Sequence, residues 1–461
     1  MDAFRIQGGA RLSGRIAVDG SKNASLPLMA AALLADDPVT LRRVPRLSDI
    51  ANMAHLLAEL GCATDSAPGI PGAPGAITLR NIDASLTQAR YDIVRTMRAS
   101  ICVLGPLVAR RGHARVSMPG GCAFGARPVD LHLKGLEALG AKIRLDGGDI
   151  VATADRLTGA TVFLGGAFGS TVLGTANVMS AATLAEGTTI IESAACEPEI
   201  VDLADLLNAM GARISGAGSP RITIHGVERL GGADHAIIPD RIVAGTYAIA
   251  GAITNGDITF DDFPYDYLLA MVDCLRQVGV DVRRVDQRED PRCCRVQVTS
   301  SRRLRPVILT TQPYPGFPTD LQAQMLALLC MAEGNSIVTE KIYPERFMHV
   351  AELTRMGAQL FRQGPTVVVQ GVNRLVGAPV MASDLRASAS LVLAGLAAEG
   401  ETIVTRVYHL DRGYERMEQT LAALGAEIER FNPDQDLARE IAGGAEPPVV
   451  TTVPAAVAPV P

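Results

Sequence analysis

Hydrophobic and polar positions repeat six times along the chain. A hydrophobic residue, a glycine and a small or β-branched residue recur, and successive glycines are 79, 71, 68, 78 and 68 residues apart. The six glycines are Gly61, Gly140, Gly211, Gly279, Gly357 and Gly425. Each ends an amphipathic segment, for example 50–60 or 414–424, and glycine is favoured directly after a helix. The pattern predicts six helices, each closed by one of these glycines.

A second, more uniformly apolar segment lies earlier in each repeat. Segments that are apolar around most of a helix surface are typical of buried helices. These segments are 24–34, 97–109, 173–185, 242–254, 321–332 and 385–398. Each is followed by a short β-branched run, such as 188–192 or 402–405, which predicts a strand. The patterns together predict six α/β units of the order β-α-β-α-β-β rather than a stacked array of shorter repeats.

Polar and charged residues gather at the starts of the six apolar helices. If these starts face one cleft, their dipoles make it electropositive, and Lys22, Arg98 and Arg386 add full charges. The net charge of the chain is −6. An acidic chain is poorly suited to bulk binding of nucleic acid. The sequence instead predicts a local cationic pocket for phosphate and carboxylate ligands.

Length and composition indicate a globular protein of two or more domains, because the chain has 461 residues and 48% hydrophobic residues. No apolar run approaches the roughly 20 residues of a membrane span, and the N-terminus lacks a secretion signal. The eight cysteines are scattered and include no C-x-x-C pair. This pattern suits a reducing cytoplasm and argues against a zinc site. We expect a cytoplasmic protein without a membrane segment, metal or cofactor.

A glycine-rich stretch surrounds one cysteine at 117–132. Three glycines flank Cys122 and precede Arg127. Glycines allow a backbone to approach a ligand closely, and a nearby cation favours the reactive thiolate. A glycine-rich turn with an inert cysteine fits the same pattern equally well.

The residues of this stretch resemble a known active-site loop. Pro119-Gly-Gly-Cys122, followed by Gly125-Ala-Arg-Pro-Val-Asp-Leu-His132, is similar to the loop of the UDP-N-acetylglucosamine enolpyruvyl transferases. The resemblance continues in register from Phe4 to about Phe431. It implies a two-domain, inside-out α/β barrel of the EPSP synthase type, with six βαβαββ units, three per domain.

The resemblance also implies domain boundaries. Residues 22–238 would form the domain that carries the cysteine loop, and residues 1–21 would join 239–432 in the second domain. The chain would cross between them near Gly20-Ser21 and 236–238. Residues 433–461 are rich in proline and alanine, which is typical of a flexible tail.

The implied reaction transfers the enolpyruvyl group of phosphoenolpyruvate to the 3-hydroxyl of UDP-N-acetylglucosamine and releases phosphate, the first committed step of peptidoglycan synthesis. It requires cations for phosphoenolpyruvate, an acid near its C3, a base for the acceptor hydroxyl, and exclusion of water. The resemblance assigns catalysis to Lys22, Cys122, Asp320 and Arg412. It assigns substrate binding to Lys22, Asn23, Arg98, Arg127, Pro128, Val129, Asp130, Leu131, Asp320, Ile342, Arg346, Asp384 and Arg386.

Several of these positions also have simple structural interpretations. Ser21-Lys22-Asn23 can be an ordinary helix start, with Ser21 or Asn23 as the cap. Asp320 follows Pro318 and can itself be a capping acid. Asp411-Arg412-Gly413 alone is an ordinary turn.

Three departures from the family pattern leave other functions open. Cys196 stands where arginine is usual, Val243 stands where an acid is common, and 169–177 varies around a segment that touches the nucleotide. One alternative is a related transferase of secondary metabolism that acts on another uridine nucleotide, such as UMP. The shikimate-pathway transferase shares the fold but not the cysteine loop. A non-catalytic regulatory protein is the third alternative. The sequence does not indicate the oligomeric state.

Overall fold

The apolar and amphipathic segments form helices near the predicted positions. The computed structural model describes residues 1–67, 75–119, 129–286, 290, 292–301 and 303–433. Its α-helices are α1 (Lys22–Ala31), α2 (Ser48–Glu59), α3 (Tyr91–Val94), α4 (Leu104–Arg111), α5 (Asp130–Ala138), α6 (Val172–Ala182), α7 (Pro198–Ala209), α8 (Arg241–Ile253), α9 (Leu269–Val278), α10 (Gln322–Leu329), α11 (Met348–Arg355), α12 (Leu385–Ala397) and α13 (Met417–Ala423). Short 3₁₀ helices cover Ala32–Leu34, Arg98–Val103, Tyr265–Leu268, Thr319–Leu321 and Val407–Arg412.

The six repeat glycines end helices as predicted. All six have positive φ, from 74° at Gly61 to 107° at Gly211. They follow the last residues of α2, α5, α7, α9, α11 and α13 by one or two positions. Glycine adopts this left-handed conformation without the steric cost that a Cβ imposes.

Two predicted helices begin later than expected. The segment 97–109 is a 3₁₀ helix over Arg98–Val103 followed by α4. Pro106 lacks an N–H group, so it is accommodated in the first turn of α4 but not in the middle of one long α-helix. The segment 414–424 is α-helical only from Met417, because Arg416 before it has a left-handed φ of 44°.

The predicted β-branched runs form strands, including 188–192 and 402–405. In chain order the strands are β1 (Ala3–Gln7), β2 (Ser13–Ala17), β3 (Val39–Val44), β4 (Cys62–Ala67), β5 (Gly75–Asn81), β6 (Gln88–Ala89), β7 (His113–Ser117), β8 (Lys142–Asp146), β9 (Asp149–Thr153), β10 (Thr161–Phe163), β11 (Gly165–Gly166), β12 (Gly169–Ser170), β13 (Thr188–Glu192), β14 (Arg213–Ser215), β15 (Arg221–His225), β16 (Ala233–Ala236), β17 (Asp257–Phe263), β18 (Asp281–Arg284), β19 (Cys294–Thr299), β20 (Ile308–Thr310), β21 (Asn335–Thr339), β22 (Gln359–Gln363), β23 (Thr366–Gln370), β24 (Pro379–Met381), β25 (Glu401–Thr405) and β26 (Glu427–Phe431).

The described strands form six four-stranded sheets and a small pair, β11–β12. The strand orders of the six sheets are β16-β3-β5-β4, β6-β7-β9-β8, β10-β13-β15-β14, β18-β19-β17-β2, β20-β21-β23-β22 and β24-β25-β1-β26. In every sheet one edge strand pairs in parallel and the other neighbours pair antiparallel. Three sheets take a strand from a distant part of the chain, namely β16, β2 and β1. β1 and β2 tie the first 17 residues to the last half of the chain, and β16 pairs with β3 within the first half.

Two separate hydrophobic cores lie beneath these sheets. One core contains buried residues from 24 to 237 and includes α1, α4 and α6. The other contains residues 4–18 together with 242–426 and includes α8, α10 and α12. No helix in the described part of the chain is long and apolar enough to cross a membrane.

The chain passes between the two cores at two adjacent places. Gly20 forms a β-bridge with Pro239, and the Ser21 N–H donates to the Ile238 carbonyl at 2.7 Å. A Cβ at Gly20 would lie only 1.9 Å from the Arg43 carbonyl oxygen, so this close approach requires glycine. These contacts bring the starts of α1 and α8 together.

Candidate active site

The starts of four apolar helices meet between the two cores. The backbone N–H of Lys22, at the start of α1, donates to Asp240 Oδ2 before α8 at 3.0 Å. Asn23 Nδ2 lies 3.5 Å from Asp320 Oδ2, which precedes α10. Arg386, in the first turn of α12, donates from Nη2 to the same Asp320 oxygen at 2.9 Å. The contacts therefore bring together predicted residues that lie up to 364 positions apart in the sequence.

Asp320 is held between two buried arginines. Arg346 Nη1 donates to Asp320 Oδ1 at 2.8 Å, and Arg386 binds the other oxygen. Arg346 and Arg386 are 6% and 3% exposed. Burial alone would raise the pKa of Asp320, but Arg386 and Arg346 hold that pKa well below its ordinary value. Asp320 therefore remains an ionised acceptor at neutral pH, and its partners are arginines instead of the helix-capping N–H groups that its sequence position suggested.

Ser21, rather than Asn23, caps the first apolar helix. The Ser21 hydroxyl accepts a hydrogen bond from the Ala24 N–H at 3.3 Å. This cap gives a hydrogen-bond partner to one of the N–H groups that the first turn of the helix leaves free. The Asn23 side chain is then available to point toward Asp320 across the gap between the cores.

Asp49 joins two predicted cations and was missed in the sequence. Lys22 Nζ lies 2.7 Å from Asp49 Oδ2, and Arg412 Nε donates to Asp49 Oδ1 at 3.0 Å. Asp49 is 1% exposed. Burial would raise the pKa of Asp49, but the charges of Lys22 and Arg412 outweigh it and lower that pKa. Burial lowers the pKa of Lys22, and the contact with Asp49 offsets part of this effect.

The local sequence gave little indication of this role. Asp49 lies in the first turn of α2, where an acid is favoured by the helix dipole alone. Its partner Arg412 is 363 residues away. Only the tertiary structure shows that one carboxylate bridges the two cores.

Tyr414 is a second residue that the sequence did not reveal. Its hydroxyl contacts Arg386 Nη1 at 3.2 Å, Gln324 Nε2 at 3.2 Å and Thr246 Oγ1 at 2.9 Å. Tyr414 is 1% exposed. Tyr414 therefore holds the Arg386 guanidinium at Nη1, and Asp320 holds it at Nη2.

Three of the predicted substrate-binding residues, Val129, Asp130 and Leu131, lie at the start of α5. Val129 is buried, whereas Asp130 is exposed at the first position of the helix. His132 Nδ1 lies 2.9 Å from Asn177 Nδ2 on α6. Burial, together with the nearby charge of Arg98, lowers the pKa of His132 to about 3. The neutral imidazole accepts from Asn177 and anchors the helix that follows Val129.

The other predicted site residues either lie away from the Asp320 carboxylate or belong to the part of the chain that the structure does not describe. Ile342 is half-buried, and its N–H donates to Glu340 Oε1 at 2.8 Å. Asp384 Oδ1 caps α12 by accepting from the Arg386 and Ala387 N–H groups. Cys122, Arg127 and Pro128 lie outside the described residues.

Within the described ranges, no group of three His, Cys, Asp or Glu side chains could hold a metal ion.

The described residues gather opposite charges between the two cores. Lys22 and Arg386 lie in the first turns of α1 and α12, Arg346 and Arg412 add two more cations, and Asp320 supplies an ionised acceptor. EPSP synthase (3-phosphoshikimate 1-carboxyvinyltransferase) is the family that matches residues 6–421. The chain belongs to this family.

Relatives of known name cover nearly the whole chain. The UDP-N-acetylglucosamine 1-carboxyvinyltransferase of Anaeromyxobacter sp. (strain Fw109-5) is 54% identical over 432 residues, which are 93% of this chain and 99% of that protein. The protein of the same name from Magnetococcus marinus is 52% identical over 94% of this chain and its own full length.

Solved structures agree with the family assignment. The enolpyruvyl transferase NikO from Streptomyces tendae superposes with a TM-score of 0.81 at 26% identity, over 93% of this chain and 98% of that one. An EPSP synthase from Acinetobacter baumannii has a TM-score of 0.72 at 18% identity, over 94% of this chain and 100% of that one, which supports the fold alone.

Replacement of Asp49 tests the charge bridge. In Asp49→Asn the Lys22 ammonium loses its counter-charge, and breaking a buried pair is costly, so kcat/KM for phosphoenolpyruvate should fall about 100-fold. The pKa of Lys22 should fall further because the neighbouring negative charge is gone. The alkaline limb of the kcat/KM profile should therefore move to lower pH.

The matched control for this prediction is Asp36→Asn. Asp36 pairs with Arg110 on the surface of the same core, and both side chains are about a third exposed. Its replacement should leave both kcat/KM and the pH profile unchanged. A wild-type alkaline limb in Asp49→Asn would show that Asp49 does not set the charge of Lys22.

Proposed function

We propose that this chain transfers the enolpyruvyl group of phosphoenolpyruvate to the 3-hydroxyl of UDP-N-acetylglucosamine. The observation that carries the proposal is Asp320, an ionised carboxylate fixed by Arg346 and Arg386 and adjacent to Asn23. Such an acceptor can orient a sugar hydroxyl and take its proton. Relatives at 52–54% identity over nearly the whole chain support this acceptor over UMP or a shikimate derivative.

Lys22 and Arg412 would bind phosphoenolpyruvate. The two residues are joined through Asp49, come from different cores and would contact the substrate from opposite sides. Arg127 would add a third cation from the cysteine loop, and Arg98 would line the substrate pocket. Guanidinium groups bind phosphate and carboxylate with paired hydrogen bonds and keep their charge at neutral pH.

The reaction would proceed by addition and elimination. The sugar 3-oxygen forms a bond to C2 of phosphoenolpyruvate while its proton passes to Asp320, and C3 receives a proton from Cys122. A C3 proton then returns to the Cys122 thiolate as the bond between C2 and the phosphate oxygen breaks, and the proton held by Asp320 passes to the departing phosphate. The products are the enolpyruvyl ether and inorganic phosphate, and proton transfers of this kind contribute about 10²–10⁴-fold each.

We further propose the architecture and setting that the family implies. Residues 22–238 would form one domain, and residues 1–21 with 239–432 would form the second, each with three βαβαββ units around inward-facing helices. The two separate cores and the shared strand pattern of the six described sheets support this division. Peptidoglycan precursor synthesis would place the enzyme in the bacterial cytoplasm.

The proposed function is tested by product identification. Purified protein is incubated with phosphoenolpyruvate and UDP-N-acetylglucosamine, phosphate release is followed, and the nucleotide product is examined by NMR spectroscopy. We expect one phosphate per enolpyruvyl ether, with the new linkage at the sugar 3-position. Linkage at another hydroxyl, or phosphate release without an ether, would refute the assignment.

A further inference from the structure

A second set of contacts joins the two cores beside the catalytic residues. Arg46 precedes α2, and Glu415 precedes α13. The Arg46 backbone N–H donates to Glu415 Oε2 at 2.7 Å, and Arg46 Nε donates to Glu415 Oε1 at 2.8 Å. Both oxygens of one carboxylate are therefore used by a single residue on the other core.

The same two segments carry the charge bridge of the site. Ser48 Oγ donates to the Asp411 carbonyl at 3.3 Å, and the next residue on each side forms the Asp49–Arg412 pair. Arg46 and Glu415 lie three residues before Asp49 and three residues after Arg412, respectively. The position of Arg412 on Asp49 thus depends on how segment 46–49 lies against segment 411–415.

The segment that carries Glu415 is fixed on its own core. Arg430 on β26 binds both oxygens of Asp411 at 3.1 and 2.5 Å. Arg416, directly after Glu415, is held at a φ of 44°, a conformation that costs a non-glycine residue energy and persists only when its surroundings impose it. Glu415 is therefore presented to Arg46 by a segment with little freedom to adjust.

The pair itself lies outside the group of residues that would contact substrate. The Arg46 side chain is 43% exposed and that of Glu415 is 21% exposed. The ion pair between Arg46 and Glu415 holds the two cores together next to Arg412. A contact between the cores stabilises their relative placement without contributing to the packing of either core.

We propose that Glu415 and Arg46 form a clasp between the two cores, a pair of positioning residues that holds segment 46–49 against segment 411–415 and sets Arg412 against Asp49. The kinetic readout of this proposal rests on the proposed function. Glu415 is the shared acceptor, because it receives both the backbone and the side-chain hydrogen bond. Loss of Glu415 should therefore remove the whole clasp, whereas loss of the Arg46 side chain should remove half of it.

The test compares Glu415→Ala, Arg46→Ala and the double variant in the full-length chain. We expect Glu415→Ala to raise KM for phosphoenolpyruvate about fivefold and Arg46→Ala about twofold, with kcat within about twofold of wild type, since partly exposed ionic hydrogen bonds have modest net strength. The double variant should match Glu415→Ala, because no acceptor remains for Arg46. Thermal midpoints should stay at the wild-type value.

Glu399→Ala is the matched control, since Glu399 pairs with Arg374 at 2.8 Å within one core. This variant should leave KM unchanged. An unchanged KM in Glu415→Ala, a lowered midpoint with wild-type KM, or a double variant clearly worse than Glu415→Ala would overturn the clasp. Absence of turnover in the wild-type protein would instead refute the proposed function, so the two failures are distinguishable.

Discussion

Asp320→Asn is expected to lower kcat with phosphoenolpyruvate and UDP-N-acetylglucosamine by at least about 100-fold, because it removes the carboxylate that we propose as the base for the acceptor hydroxyl. Asparagine keeps the size of the side chain, but its one oxygen can accept a hydrogen bond from only one of the two arginines, so the variant should also lose some stability. The loss in kcat is therefore measured per folded protein, with the folded fraction determined by circular dichroism. Phosphate release at saturating substrates measures it.

Asp281→Asn is the control for this prediction. Asp281 lies on an exposed strand, where it pairs with Arg283. Its replacement should leave kcat unchanged. If Asp320→Asn retained more than about a tenth of the wild-type kcat, the assignment of Asp320 as the base would be wrong, given the usual contribution of such a group.

The acid stability of the same variant provides an independent readout. The folded-state pKa of Asp320 is depressed by its arginines, so its ionised form stabilises the fold above the unfolded-state pKa. That stabilisation is lost as the pH falls through the folded-state pKa. Asp320→Asn should therefore show a weaker loss of thermal stability than the wild type on acidification below about pH 4.

Cys122 is expected to be the one cysteine of eight that is alkylated by the epoxide fosfomycin. The resemblance places it on the substrate loop beside Arg127, where cations would hold the phosphonate and favour the thiolate. Burial raises the pKa of Cys62 to about 11, and raises those of Cys102, Cys274 and Cys330 to about 12. Burial also raises the pKa values of Cys196, Cys293 and Cys294. These seven thiols are therefore poor nucleophiles near neutral pH.

Peptide mapping after treatment with fosfomycin decides this prediction. A mass increase should be confined to the peptide that contains Cys122, and UDP-N-acetylglucosamine should accelerate it. Cys122→Asp should resist the drug yet retain part of the transfer activity, because a carboxyl group can still deliver a proton. Modification of any of the other seven cysteines at a similar rate would contradict the account.

The repeated pattern of the sequence predicted most of the fold because it depends on local properties. A glycine with positive φ ends each amphipathic helix, and this requirement is readable at Gly61 as well as at Gly425. Helix starts were harder to predict. Pro106 lies in the first turn of α4. The last helix begins only at Met417, so Tyr414 lies before it and contacts Arg386, 28 positions earlier in the chain.

The site was only partly predictable for the same reason. Lys22, Asp320 and Arg386 stand in recognisable motifs, and the structure brings them to neighbouring helix starts. Asp49 carries no such signal, because a first-turn acid has a sufficient local explanation in the helix dipole. Its function as a bridge arises only when Arg412, 363 positions later, is packed against it.

The most direct test of the central claim is a comparison of acceptors. Phosphate release from phosphoenolpyruvate is measured side by side with UDP-N-acetylglucosamine, UMP and 3-phosphoshikimate at equal concentrations. The account predicts turnover with UDP-N-acetylglucosamine and none above background with the other two. Turnover of UMP or 3-phosphoshikimate in the absence of turnover of UDP-N-acetylglucosamine would contradict it.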